Sequence, residues 1–297
     1  FEISKGGESV ILGGKSDLGF TLFSFKDNGG ADFCEYAELC FWQFGDWVKY
    51  LITMNEPYTY IVGVYVFGNA PPCRGPSSTE HITGTFPEGR CIHNKTQQSC
   101  NGDLGREPYL VTHYKLLAHV AAIQLYRQKF QISQGGKIGI TLVSKWMEPL
   151  DESNDRDVKA SYMEPVTRGD YPESMKEFVG SRLPKFTKEQ SNMLKGSINF
   201  LGLNYYTANY VSDGLEVNNG LLRYNTNPQV TYSSKKNYNA LSIPVCILLC
   251  KSILMFQPKC DIYFVLQPSG TVYLLGHQAL QIGSTFIRKV FISYWDT

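Results

Sequence analysis

The sequence predicts an α/β fold, in which short buried strands alternate with amphipathic helices. Three observations carry that expectation. An apolar run from Val48 to Met54 has the length of a buried strand and ends on Asn55, Glu56 and the turn-forming Pro57. Ahead of it, Phe33, Ala37, Cys40, Phe41 and Phe44 recur at i, i+4, i+7, i+8 and i+11, one apolar face of a helix over Asp32 to Phe44. Further on, a helical pattern opened by Glu107-Pro108-Tyr109 runs into the β-rich stretch Lys137 to Val143. Strands alternating with helices build parallel sheets, and chemistry in such sheets sits where the strands end. Asn55 and Glu56 stand at such an end.

Composition narrows the function classes. The 297 residues suffice for one large domain or two small ones. With 28 basic and 27 acidic residues the net charge is +1, which points neither to nucleic acid nor to an anionic membrane. The 19 Tyr and 17 Phe suit sugar-binding walls and ordinary cores alike, so they decide nothing. The eight Cys are no small-scaffold framework, because a chain this long can bury a core. Cys34 and Cys40 fall on the first helix as buried free thiols. Cys91 and Cys100 flank a polar loop, where a bridge and two free thiols are equal alternatives. No Cys-x-x-Cys pair has a second pair or His partners, so structural zinc is not expected. His81, His93, His113, His119 and His277 show no metal spacing either, and His113 and His119 read as structural. No metal and no cofactor are expected. Gly135-Gly136-Lys137 follows a helix and lacks phosphate-loop spacing. The chain starts on Phe1 without a signal-peptide pattern, so a soluble fragment or mature form is expected, with the cytoplasm preferred. Asn94-Lys95-Thr96 is a glycosylation sequon expected to be unused.

Taken in order, Phe1 to Leu18 is rich in glycine, serine and charge and stays unassigned. Gly19 to Phe23 reads as a short strand. The helix of Asp32 to Phe44 stops at Gly45, and the strand that ends at Glu56 follows. Asn69 to Gly105 is a long irregular stretch, and such loops in compact domains are functional or mobile. Pro108 suits a helix start, since its missing N–H would have no intrahelical partner. Leu110, Tyr114, Leu117, Ala121 and Leu125 are the expected buried stripe of this helix, and Gly135-Gly136 its end. Thr187-Lys188-Glu189-Gln190 is a capping box. Ile198 to Leu203 is a strand ending in Asn204-Tyr205-Tyr206-Thr207. Beyond it, Ala240 to Phe256 is apolar but interrupted by Pro244 and Lys251. It is shorter than the roughly 18 to 20 residues of a membrane span, so no membrane partner is expected.

Thr53-Met54-Asn55-Glu56-Pro57 resembles the acid/base motif of glycoside hydrolase family 1, the β-glucosidase family. The flanks agree, from Asp32-Phe33-Cys34-Glu35-Tyr36 through Ala37-Glu38-Leu39-Cys40-Phe41 to Phe44-Gly45-Asp46. The likeness is closest to plant alkaloid glucosidases, of the raucaffricine and strictosidine β-glucosidase type. Ala70-Pro71-Pro72-Cys73-Arg74-Gly75, Trp146-Met147-Glu148-Pro149, Gly169-Asp170-Tyr171-Pro172, Arg182-Leu183-Pro184-Lys185-Phe186 and Asn204 to Thr207 also match. The resemblance implies a partial TIM (β/α)8 barrel over residues 19–237, about strands three to six of eight. An unassigned segment, 1–18, precedes it, and a divergent tail, 238–297, follows. Ser161 follows Ala160 where the family runs on through further helical turns, so most of one barrel helix is expected to be deleted. The tail reads either as translation of unspliced or frame-shifted message or as a divergent folded terminus.

The resemblance further implies retaining hydrolysis of O-glycosyl bonds. Such chemistry needs two carboxyl groups about 5 Å apart, one to protonate the leaving oxygen and one to attack the anomeric carbon. By resemblance Glu56 is the acid/base, Asn55 bonds the sugar 2-hydroxyl, Tyr206 orients the nucleophile, and Asn204 stands beside it. The substrate implied is a β-glucoside, with an indole-alkaloid aglycone suggested by the nearest likeness. The family's sugar-binding His is replaced by Ser24-Phe25-Lys26, and its Thr-Glu-Asn-Gly nucleophile sequence is absent. After Glu216 the chain has no glutamate, and Asp261 and Asp296 are the carboxylates that remain. Glu148 reads as structural. The chain is therefore expected to be inactive alone. The alternative is a non-catalytic form that associates with itself or with an intact family member, because a half barrel leaves raw sheet edges.

Overall fold

The computed structural model describes residues 9–13, 29–68, 74–75, 102–149, 163–213, 223–224, 230–233, 235–236, 239–240, 261–266 and 271–275. The first half gives β1 (Ser9–Gly13), α1 (Gly29–Phe44), β2 (Tyr50–Asn55), α2 (Pro57–Ile61), α3 (Glu107–Lys129), α4 (Gln131–Gln134) and β3 (Lys137–Pro149). Three short helices follow, α5 (Met163–Arg168), α6 (Glu173–Val179) and α7 (Lys188–Leu194), then β4 (Phe200–Asp213) and β5 (Val230–Ser233). Two-residue β6 (Lys235–Lys236) and β7 (Asn239–Ala240) pair with each other, and β8 (Asp261–Leu266) and β9 (Thr271–Leu275) come last.

The main sheet has seven strands in the order β1-β2-β3-β4-β8-β9, with β5 on the outer part of β4. β1 to β4 and β8 are parallel, as the alternation of strands and helices predicts. β9 folds back antiparallel on β8. Strands β1 and β5 to β9 depart from the sequence expectation. β1 lies at Ser9–Gly13, inside the segment left unassigned, whereas Gly19 to Phe23 is outside the described residues. β8 and β9 come from the stretch beyond Asn237, where no periodicity announces them.

Helix α1 buries the face its spacing predicts. Phe33, Ala37, Cys40 and Phe41 are buried, and Phe41 meets Tyr126 of α3 with ring centroids 4.9 Å apart. Cys40 is a buried free thiol as expected, while Cys34 is only half-buried; burial raises both thiols. Beyond α3, Gln134 donates to the Phe41 carbonyl at 2.8 Å, and Gly135 at φ 67° turns the chain left-handed into β3. The predicted capping box is present: Thr187 Oγ1 accepts from the Gln190 amide at 3.2 Å, and the Gln190 side chain accepts from the Thr187 amide at 2.9 Å.

The buried stripe expected for α3 is corrected. Leu110, Tyr114, Leu117, Ala121 and Leu125 are all half-buried, whereas Val111, Leu116, Val120, Ile123 and Tyr126 are fully buried. The helix is apolar around much of its circumference. It also buries the polar groups Thr112, His113, Lys115 and His119. Counting apolar residues therefore chose the wrong phase. The two phases predict different stabilities. Leu116→Ala should cost about 2–5 kcal/mol and Leu117→Ala no more than about 1 kcal/mol, as read by urea denaturation.

Candidate active site

β2 delivers its last residues to the C-terminal edge of the sheet, and Glu56 follows as the residue that caps α2. Its backbone is left-handed, φ 49° and ψ 53°, the one positive-φ non-glycine among the described residues. The conformation is held from both sides. The Glu56 amide donates to the Thr141 carbonyl of β3 at 2.9 Å, and the Glu56 carbonyl accepts from the Tyr60 amide at 3.3 Å. Non-glycine residues kept in such a conformation cluster at functional sites.

Glu56 is only 4% exposed. A buried carboxylate must find donors. Asn204 of β4 supplies one, its Nδ2 donating to Glu56 Oε1 at 2.7 Å and to Asn55 Oδ1 at 3.0 Å. Thr59 supplies another, its hydroxyl reaching Oε2 at 3.0 Å from the first turn of α2. Three of the residues singled out by sequence, Asn55, Glu56 and Asn204, thus form one hydrogen-bonded unit. Tyr206 lies two residues further along β4, but its side chain is outside the described residues, as are Cys91, Cys100 and Asp296. Asp261 opens β8 at the level of Phe200, whereas Asn204 pairs with Val265. Four residues of strand, about 13 Å, separate the two levels. Glu148 lies on β3 at the level of Tyr210, beyond Asn204.

Beneath this unit lies a polar support that motif reading missed, except that it placed the histidines as structural. Thr53, fully buried, donates its hydroxyl to the Gly139 carbonyl at 3.1 Å. Its oxygen lies 2.6 Å from His119 Nδ1. With the hydroxyl proton already given away, that oxygen accepts from the imidazole, which fixes a neutral Nδ1–H tautomer. Burial pushes the His119 ring down to about 3, with Arg127 adding to the effect. His113 bonds the Tyr171 hydroxyl at 3.0 Å and stacks on Phe186, centroids 4.4 Å apart, and burial pushes it down to about 4. Lys115 is buried with Nζ 3.6 Å from the Tyr60 ring centroid, and burial drives its amine well below the ordinary lysine range. Thr59 lies three residues past the helix-capping carboxylate, a spacing that puts its hydroxyl within reach.

Among the described residues no group of three or more His, Cys, Asp or Glu could hold a metal ion. No described helix is long and apolar enough to cross a membrane.

Comparison with known proteins bears on this arrangement. The model of the glycosyl hydrolase family 1 matches residues 26–275, further than the motifs that stop near Asn237. Raucaffricine-O-β-D-glucosidase of Rauvolfia serpentina is 52% identical over 219 residues, 69% of this chain and 41% of the relative. Oleuropein β-glucosidase of Olea europaea is 47% identical over 61% of this chain and 35% of the relative. The chain thus spans about two fifths of the length of the curated relatives it matches. Among solved structures, a mutant of the rice β-glucosidase Os3BGlu6 in covalent complex with glucose superposes with a TM-score of 0.66 at 28% identity, over 82% of this chain and 52% of that one. A β-glucosidase from the fungus Humicola insolens in complex with glucose gives a TM-score of 0.58 at 29% identity, over 76% and 45% of the two chains.

Two outcomes are expected. Asn204→Asp removes the shared donor and sets a third acceptor against Asn55 and Glu56, so it should destabilise by roughly 3 kcal/mol near neutral pH. Urea denaturation should find that penalty shrinking as acid supplies a proton to the pair. The second outcome concerns the neutral histidines. Their folded values lie below the ordinary 6.5, so they contribute nothing above it. As pH falls from 6.5 towards 4 for His113 and 3 for His119, the unfolded chain takes up protons first and stability is lost. Each contributes a slope of up to about 1.4 kcal/mol per pH unit. His113→Gln should show a flatter acid limb than the parent chain.

Proposed function

Because the chain belongs to glycosyl hydrolase family 1, whose fold is the TIM barrel, we propose that Glu56 is the acid/base carboxyl of a β-glucosidase site and that this chain alone holds only that half of the chemistry. One observation carries the reading: Glu56 is a buried carboxyl at a strand end, in a left-handed backbone, with both oxygens held by side chains from two other elements. In a retaining site such a group gives its proton to the glycosidic oxygen as the anomeric C–O bond breaks, then takes one from the water that attacks the glycosyl–enzyme. Asn55, adjacent to Glu56, would hold the 2-hydroxyl, and Tyr206 would face the nucleophile. The relatives named for raucaffricine and oleuropein support a small-molecule β-glucoside as the substrate class, with an alkaloid glucoside as the specific candidate.

The second carboxyl is the gap. β8 is the parallel neighbour of β4, and its last residues are Val265 and Leu266. Asp261 stands four residues, about 13 Å, short of the level of Asn204 along β8, whereas the two carboxyls of a covalent mechanism lie roughly 5 Å apart. Loss of a covalent nucleophile costs about a million-fold in rate. In this reading residues 19–237 carry the partial barrel and 238–297 a divergent tail. A second reading is favoured by the sheet itself, which among the described residues runs from β1 to β9 without closing. Such a sheet suits a non-catalytic chain that associates with a second copy or with an intact relative.

The purified chain should give no turnover of a chromogenic aryl β-glucoside above that of its Glu56→Gln variant. Turnover abolished by Glu56→Gln would overturn the claim that the chain is incomplete. Light scattering of the chain, alone and mixed with an intact relative, tests association; a strict monomer in both would remove the second reading.

A further inference from the structure

Two buried polar side chains of α3 reach the chain on either side of Glu56. Lys115 and His119 are four residues apart, so they stand one above the other on one face of the helix. Lys115 is 4% exposed and His119 is fully buried. His119 Nδ1 lies 2.6 Å from the hydroxyl of Thr53, three residues before Glu56 on β2. Thr53 is tied in turn to the Gly139 carbonyl of β3. Lys115 Nζ lies 3.6 Å from the ring centroid of Tyr60, four residues after Glu56 on α2. The Tyr60 amide closes the first turn of α2 on the Glu56 carbonyl at 3.3 Å, and its neighbour Thr59 holds Glu56 Oε2 at 3.0 Å. One turn of α3 thus meets both the end of a strand and the start of a helix, and Glu56 is the joint between them.

That joint is under strain. Its left-handed backbone is unfavourable for a residue with a Cβ and persists only where the surroundings over-determine it. Contacts to α3 on both flanks supply such a constraint. They fix the angle between β2 and α2, and with it the direction in which the carboxyl leaves the backbone. An apolar pair would fill the same seat without burying an amine and an imidazole, whose charged forms burial disfavours. A leucine, however, has no N–H to give to the Thr53 oxygen or to the face of the Tyr60 ring.

We propose that Lys115 and His119 are positioning residues for Glu56, one turn of α3 that clamps the chain on both sides of its left-handed backbone. The inference rests on Glu56 being the acid/base residue, but its test does not use turnover.

The test is the carboxyl 13C spectrum of glutamate-labelled protein, with the Glu56 signal assigned from Glu56→Gln, together with Tm. Lys115→Leu should displace the Glu56 signal while Tm stays within about 2 °C of the parent or rises, because a buried amine is removed. His119→Leu should also displace it. His119→Asn keeps an N–H near the Thr53 oxygen, and Tyr60→Phe keeps the ring, so both should leave the signal close to the parent position. Leu116→Ala, on the same helix but in the apolar core, should lower Tm by at least about 4 °C without moving the signal. A Glu56 signal unmoved in Lys115→Leu and His119→Leu would sink the proposal. A displacement in Leu116→Ala as large as theirs would assign the effect to helix packing in general and sink it equally. Failure of the acid/base reading appears elsewhere, as aryl-glucoside turnover that survives Glu56→Gln, and leaves these spectra unchanged.

Discussion

The structure depends on how a carboxylate is kept out of water at the end of β2. Burying Glu56 without donors would cost several kcal/mol. Its donors come from β4, two strands away, and from the first turn of α2. Asn204 reaches Glu56 across β3 because the intervening strands lie close. Gly139 packs against the Phe200 carbonyl and Gly202 against Thr141, and neither site has room for a Cβ. The register of β2, β3 and β4 is thus not merely a matter of covering a core. A slip of one residue would turn Asn204 to the other face and leave the carboxylate without that donor.

The same logic explains the layer below. Thr53, two residues ahead of Asn55, is locked to Gly139 and His119, so the strand that presents Glu56 is pinned on both its β3 and its α3 sides. α3 pays for nothing with its apolar residues that a plain amphipathic helix would not. What distinguishes it is a set of buried polar groups with separate partners, His113 on Tyr171 and Phe186, Lys115 over the Tyr60 ring and His119 on Thr53. These partners make the helix specific to one seat rather than to any apolar groove.

Local patterns in the sequence were legible where one physical signal dominated. The α1 face, the capping box at Thr187 and the strand end at Glu56 each follow from spacing alone. The union of Asn55, Glu56 and Asn204 was legible only through the resemblance, since the first two lie far in sequence from Asn204. The phase of α3 was not legible, because its polar residues face inward and its outer side is also apolar. β1, β8 and β9 carry no strict alternation, so periodicity does not announce them. Thr59 went unread because a hydroxyl in a helix turn has many roles, and only the geometry selects one.

The order of pairing in the sheet has a kinetic consequence. Tyr50 of β2 pairs with Lys137 of β3, Gly139 with Phe200 of β4, and Phe200 with Asp261 of β8, so each parallel join closes a long loop. Such contacts form slowly, because loop closure is unfavourable until the contact itself is made. During synthesis the apolar β2 emerges well before its β3 partner and waits while residues 56–136 are added. The hairpin of β8 and β9 is local, but it is made last. A cell producing this chain therefore holds the β3-facing edge of an apolar strand unpaired while those residues are added, an exposure of the kind that chaperones cover.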